Sequence, residues 1–372
     1  MINKKAYHGG AFFEAIGEDF SSLNKANGII NADVLDAWFN PSPKVIKKIK
    51  KYTEFIIRTS PPTHCKGLIK TISKIKDIPI ENILVGGGSS DIMFAIFPQL
   101  ANKKTKVLIL DPMYGEYAHI FENVTQSKLF RHKLFKKNDF KINITSLQKD
   151  INATKPDLVV LVNPNSPTGK YCTKEAVLNL IKSNLDKLFI IDETYVEYVD
   201  KKQSLEKYTT KLNNLIVIKS MSKIYALSGA RVAYMVANKK IINNLSSFIP
   251  PWSVSLLGQI AGVEALKDPK YYQKQYNKTH NLRKNFIKGL SDISSIKIFD
   301  SMANFFLVEL INPKLSAKNI VNNLRKQKIY LRNCDSMSKQ FKNDFVRITV
   351  REEKSNNKVT KALRKELGKL DE

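Results

Sequence analysis

The sequence predicts an α/β protein built on a mainly parallel sheet, followed by a smaller α+β unit. Three observations lead there. Short, continuously apolar and β-branched runs recur along the chain, helical periodicity separates most of them, and beyond residue 249 the pattern changes to long helix and then further strands. Strands that are apolar on both faces need cover on both sides, the situation of a parallel sheet between helix layers.

The strand candidates of the first unit are 82–87 (NILVGG), 106–111 (KVLILD), 158–163 (LVVLVN), 187–192 (KLFIID), 214–220 (NLIVIKS) and 231–237 (RVAYMVA). TKEAVLNLIKSNL at 173–185 has its apolar residues at helical spacing and is a typical connector. After IPPWSVS at 249–255 comes a long amphipathic helical stretch. The strand-like runs 304–310 (NFFLVEL), 329–333 (IYLRN) and 345–350 (FVRITV) follow it. The chain is therefore divided into an N-terminal arm (1–40), a large α/β domain (41–247) and a small C-terminal α+β domain (248–372).

Composition excludes more than it selects. There are 61 Lys and Arg against 34 Asp and Glu, a net charge of +27. The basic residues are dispersed, without an arginine-rich arm, a zinc-finger spacing or an aromatic RNA-binding signature, so the excess reads as a solvated surface that favours anionic substrates and not as a nucleic-acid interface. Three scattered cysteines, Cys65, Cys172 and Cys334, suit neither a disulfide framework nor a metal site and fit a reduced, cytoplasmic setting. The first twenty residues lack an apolar signal core, and nowhere do eighteen apolar residues run together, so neither secretion nor a membrane span is expected.

Ligands of open α/β sheets collect at the carboxyl ends of the strands. Here five successive strand ends close on polar sequence: GGGSSD (86–91), DPMYGEY (111–117), NPNSPTG (163–169), DETYVEY (192–198) and SMSK (220–223). Any one of them could be a turn or a helix cap. Together they describe a single ligand. A phosphate would sit where GGGSS opens a helix, with hydroxyls from Ser89, Ser90, Ser220 and Ser222 and the fork of Arg231 as further donors. An aromatic ring would lie on Tyr114, Asp192 would keep a ring nitrogen protonated, Tyr195 would donate to a ring oxygen, and Lys223 would attack a carbonyl carbon. That set is the demand of pyridoxal 5'-phosphate. Burial and the neighbouring Arg231 are expected to favour the neutral, attacking form of the Lys223 amine.

NPNSPTG, DETYVEY and SMSKIYALSGARVAY resemble the cofactor motifs of fold type I pyridoxal-phosphate enzymes, in the group of histidinol-phosphate aminotransferases and threonine-phosphate decarboxylases. The resemblance runs over essentially the whole chain. HGG (8–10), PPWSVSLLGQIAGVEALKD (250–268) and YLRNC with FVRITVR (330–351) lean toward the decarboxylase branch. It implies that His8 and Arg332 hold a substrate phosphate and Arg347 the substrate α-carboxylate, in a homodimer with shared active sites. Without it, His8 could be an arm residue, and the two arginines could be strand-edge residues.

Three positions depart from the family pattern. Ser166 replaces the asparagine that bonds the cofactor's ring oxygen; it would reach that oxygen through water, with Asn165 beside it as a substitute. Ser60, in RTSPPTHCKG, stands where a tyrosine crosses the dimer to the cofactor phosphate. Trp38, in LDAWFNPSP, takes the place of a substrate-side asparagine and reshapes the substrate pocket.

The expected activity is decarboxylation of a small O-phosphorylated L-amino acid of the serine or threonine phosphate type, giving a phosphorylated amino alcohol. The alternative is transamination of a small phosphorylated ketone or aldehyde with glutamate as donor, of the dihydroxyacetone phosphate or imidazole acetol phosphate type. A binding-only paralogue is a third reading, opposed by the presence of Lys223, Asp192 and Arg231.

Overall fold

The structure is a computed structural model that describes residues 9–17 and 19–368. Twelve strands are found among them: β1 (Ile30–Ala32), β2 (Ile83–Gly86), β3 (Lys106–Asp111), β4 (Lys128–Lys133), β5 (Leu158–Val162), β6 (Leu188–Asp192), β7 (Leu215–Ser220), β8 (Ala233–Ala237), β9 (Ile296–Phe299), β10 (Phe305–Leu310), β11 (Ile329–Asn333) and β12 (Phe345–Thr349). Seven form one sheet in the order β2-β8-β7-β6-β5-β3-β4, and five form a second in the order β1-β11-β12-β10-β9.

In the first sheet the pairs from β4 through β7 are parallel. Their residues are as apolar as burial on both faces demands: Val159, Val160, Phe189, Ile190, Ile191, Val217 and Ile218 are all fully enclosed by helices. β8 is antiparallel to both β7 and β2. This reversal places the start of β8, just after Arg231, at the same edge as the carboxyl ends of β2 and of the parallel strands. Residues 86–88, Asp192, Ser220 and Arg231 thereby converge on one rim. β4 escapes the sequence prediction because it is a half-exposed edge strand, KLFRHK, with little apolar signal.

The second sheet packs around Phe306, Val308, Leu331, Val346 and Ile348. Residues 30–32, placed by sequence in the N-terminal arm, form its edge strand β1, parallel to β11. In three residues periodicity is unreadable, and the pairing is with a segment some three hundred positions away. The helix Pro269–Lys288 bridges the two sheets: Tyr276 packs in the core shared with Tyr198 and Phe305, and Phe286 packs under Phe306. No helix is long and apolar enough to cross a membrane among the described residues.

Candidate active site

A cleft of about 910 Å³ opens at this rim, lined by Gly9, Ser89, Tyr114, Ser166, Asp192, Tyr195, Ser220, Lys223, Arg332 and Arg347 among others. Nine of the residues picked from sequence are thus on one surface, although they span some 260 positions.

The helix Ser89–Leu100 begins here, with Gly88 at its cap position at φ +106°. A side chain at Gly88 would be strained by that angle, and its Cβ would lie 2.5 Å from Arg231 Nη2. The glycine thus lets the guanidinium close on the helix N-terminus, where unpaired N–H groups and a cation suit a phosphate. Ser220 caps the short turn Met221–Ile224 and faces the cleft, while Ser222 is buried and donates its backbone N–H to the Ser220 hydroxyl at 3.4 Å. Ser90 bonds the hydroxyl of Tyr114, whose pKa burial, with the charge of Glu116, pushes up to about 12.

Asp192 ends β6, buried, with Oδ1 accepting from Thr194 N at 2.9 Å and Thr194 Oγ1 at 2.6 Å, and Oδ2 accepting from Tyr117 Oη at 2.8 Å. Burial raises its pKa against these donors. A protonated ring nitrogen is the charge such a site needs. Tyr195 is buried edge-on against Phe305, and burial raises its pKa well above the usual phenol value, so it serves as a hydrogen-bond donor. These residues fit the cofactor that the strand ends demand: a phosphate cradle, a carboxylate for the ring nitrogen and a phenol beside it share one cleft with a lysine.

Three expectations need correction. The Lys223 amine is not left to Arg231: its Nζ donates to Asp36 Oδ1 at 2.8 Å. Arg231 instead donates to the backbone of Ser228 and faces Gly88. Asn165 cannot stand in for Ser166, because its amide is committed to Pro112 O and Thr168 Oγ1, both at 3.0 Å. Ser166 itself accepts from Arg347 Nη1 at 3.2 Å. Trp38 does not line the cleft; its indole N–H donates to Thr279 at 2.8 Å, as a half-buried indole requires a partner. Ser60 is exposed at the end of the helix Thr53–Arg58, and His8 lies outside the described residues.

Arg332 and Arg347 are buried neighbours, directly paired in the register of β11 and β12. Arg332 Nη1 stands 3.9 Å from Asp33 Oδ1, and Asp33 Oδ2 accepts from the Gly10 N–H at 3.0 Å, next to Gly9 in the cleft lining. Arg347 Nη2 donates to Asp33 O at 2.9 Å, while its Nε has no hydrogen-bond partner among the described residues. Burial lowers the pKa of Arg347, and the charge of Arg332 works in the same direction. Two buried cations side by side make an anion site.

Sequence reasoning missed Asp33, Asp36, Tyr117 and Thr194. The last two lay inside the motifs DPMYGEY and DETYVEY. Sequence reasoning also missed what backs the rim. Side chains alternate along a strand, so beside Asp192 and Ser220, which face the cleft, Glu193 and Lys219 face the interior. Lys219 is fully buried, 2.7 Å from Glu197 and 3.5 Å from Glu193, and Lys76 joins the cluster 3.2 Å from Glu206. Burial pushes the Glu193 carboxyl up to about 7; Glu206, against the same burial, is held at about 2 by Lys76 and Lys219. Lys219→Met strands carboxylates in the interior and is expected to lower unfolding free energy by about 3–5 kcal/mol, measured by urea denaturation.

The aminotransferase class I and II family profile matches residues 31–365. The histidinol-phosphate aminotransferase of Methanocaldococcus jannaschii is 31% identical over 340 residues, 90% of this chain and 89% of that protein. The crystal structure of the histidinol-phosphate aminotransferase from Clostridium acetobutylicum superposes with a TM-score of 0.78 at 26% identity, over 90% of this chain and 99% of the other. The L-threonine-O-3-phosphate decarboxylase from Porphyromonas gingivalis shares the fold, with a TM-score of 0.78 at 22% identity, over 91% of this chain and 99% of the other.

Proposed function

The chain belongs to the class I and II aminotransferase family, with the fold type I architecture and pyridoxal 5'-phosphate as cofactor, and from that premise we propose that it transaminates a small phosphorylated ketone or aldehyde with glutamate as donor. The carbonyl substrate we favour is of the imidazole acetol phosphate type. This reverses the order of preference drawn from sequence, because relatives near 30% identity carry an aminotransferase name and the decarboxylase likeness extends to fold alone. The observation that carries the reading is the buried arginine pair opening beside Lys223 and Asp192.

When bound, the cofactor withdraws electrons from a substrate carbon attached to it. We assign Lys223 to its attachment and to the movement of the substrate Cα proton, Asp192 to the ring nitrogen and Tyr195 to the ring oxygen. Ser89, Ser90, Ser220, Ser222 and Arg231 surround its phosphate; Tyr114 supports its ring. Arg347, anchored on Ser166 and Asp33, holds the α-carboxylate of the glutamate donor, and Arg332, with His8, the phosphate of the phosphorylated substrate. The glutamate carboxylate gripped this way is restrained and solvated by the fork, which leaves the Cα proton as the group within reach of Lys223.

Removing the phosphate would deprive Arg332 of charge-assisted bonds of about 1.5–3 kcal/mol each, so dephosphorylated substrate should show kcat/KM at least about a hundredfold lower. The test is to supply the purified protein with histidinol phosphate and 2-oxoglutarate, then with histidinol and 2-oxoglutarate, and follow glutamate. Equal efficiency on both sinks the phosphate assignment.

A second reading, decarboxylation of O-phospho-L-serine or O-phospho-L-threonine, draws support from the adjacency of Arg332 and Arg347, which suits a compact substrate with its two anions close together. Carbon dioxide released from either compound without a keto acid would put it first. We also propose the division into arm, large and small domains at residues 40 and 247, with β1 joining the last, and a homodimer with shared sites. The exposed Phe55, Ile57 and Trp252 on the chain around Ser60 and PPWSVS support the dimer.

A further inference from the structure

Lys223 has a partner that the chemistry above does not use. Its Nζ donates to Asp36 Oδ1 at 2.8 Å, Ser228 Oγ donates to the same oxygen at 2.6 Å, and Lys223 Nζ lies 3.4 Å from Ser228 Oγ. The three groups form a closed triangle. Asp36 does not reach it on a loose loop. The segment 33–36 is held by three side chains of the second sheet and its flank: Arg347 to Asp33 O at 2.9 Å, Asn304 to Leu35 O at 3.0 Å and Arg351 to Asp36 O at 3.3 Å. Burial works against the Asp36 carboxylate, yet the charge of Lys223, the bonds from Lys223 and Ser228 and the charge of Arg351 hold its pKa below the usual value. Asp36 is therefore an anion wherever the enzyme works.

We propose that Asp36 is the dock of Lys223, a positioning residue that holds its ammonium whenever the lysine is not bonded to cofactor and so governs how fast the lysine takes the cofactor up. The proposal rests on the assignment of Lys223 as the attachment site. Its chemistry is simple. An ammonium has no lone pair and must first give one proton to solvent; the freed lone pair then forms the N–C bond to the aldehyde carbon, and the two remaining N–H protons leave with the carbonyl oxygen as water. The Asp36 carboxylate holds the nitrogen at 2.8 Å and must release it before the attack, which slows uptake. The other charged and titratable groups around the pair are Arg351 on the Asp36 backbone, Arg231 on the Ser228 backbone, Tyr198 on the Lys223 carbonyl, and Asp192 and Tyr195 across the cleft. Asp36 is the anion among them that bonds Lys223 Nζ directly.

The experiment uses cofactor-free protein. Pyridoxal 5'-phosphate is added, borohydride traps the lysine-bound cofactor at timed intervals, and peptide mapping assigns it to Lys223, from about pH 6 to about pH 10. Asp36→Asn is expected to take up cofactor about tenfold faster than wild type at neutral pH. Asp36→Glu should restore the wild-type profile, which a merely structural role would not require. Ser228→Ala, which removes only the bridging hydroxyl, should shift the profile in the same direction by less, and it keeps the test open if Asp36→Asn fails to fold. Superimposed profiles, or slower uptake in both variants, overturn the dock. Trapping on a different lysine in the wild-type protein overturns instead the assignment of Lys223, and the dock with it.

Discussion

Lys223→Ala is expected to lower kcat/KM by at least about 10⁴-fold, because the proposed assignment makes one side chain both the covalent attachment and the carrier of the Cα proton. The variant should still bind pyridoxal 5'-phosphate, since the helix N-terminus at Ser89, the serines and Arg231 are untouched. Borohydride should then fail to fix the cofactor to the protein. Turnover within tenfold of wild type, or covalent trapping at an unchanged level, would remove Lys223 from the site. Folding is not at stake in the same degree. Lys223 is one-fifth exposed, and its loss leaves Asp36 paired with Ser228 and near Arg351.

Asp192→Ala should cost roughly 3–5 kcal/mol of transition-state stabilisation, a hundredfold or more in rate, because the ring nitrogen loses the counter-charge that lets it draw electrons. The buried carboxylate has three donors aimed at it, two from Thr194 and one from Tyr117. The alanine variant leaves the Tyr117 hydroxyl without an acceptor in the core and so loses stability as well. Asp192→Asn separates the two effects. It keeps a hydrogen-bonding side chain of the same shape but no charge, so it should retain most of the denaturation midpoint while the rate stays low. If the asparagine variant turns over at the wild-type rate, the ring nitrogen does not depend on Asp192.

The parts of the site that sequence revealed are those that local chemistry announces. GGGSSD, NPNSPTG, DETYVEY and SMSK each interrupt an apolar run at a strand end, and an interruption by hydroxyls, glycine or a carboxylate is conspicuous against β-branched surroundings. Asp36 had no such frame. It lies in LDAWFNPSP among ordinary residues, 187 positions from the lysine it pairs with, and no spacing rule connects them. Trp38 illustrates the converse. Its place in the chain suggested the substrate pocket, but an indole N–H needs an acceptor, and Thr279 on the helix Pro269–Lys288 supplies one on the other side. Asn165 was likewise spent on structure, with its amide already occupied by Pro112 just past the end of β3 and by Thr168 on its own loop.

The sequence by itself determined the fold class, the rim at which the cleft opens, the cofactor and most of the polar residues picked for that rim. All of these follow from period, burial and residue chemistry along continuous stretches of chain. The tertiary structure decided which charges meet: Lys223 with Asp36, Arg332 beside Arg347 in one register pair, and Lys219 with Glu193 and Glu197 beneath the rim. The physical reason is that hydrophobic periodicity is a local signal, repeated every few residues. The state of a charged group depends instead on its burial and on neighbours within a few ångströms, and these come from strands and loops that only the completed fold brings together.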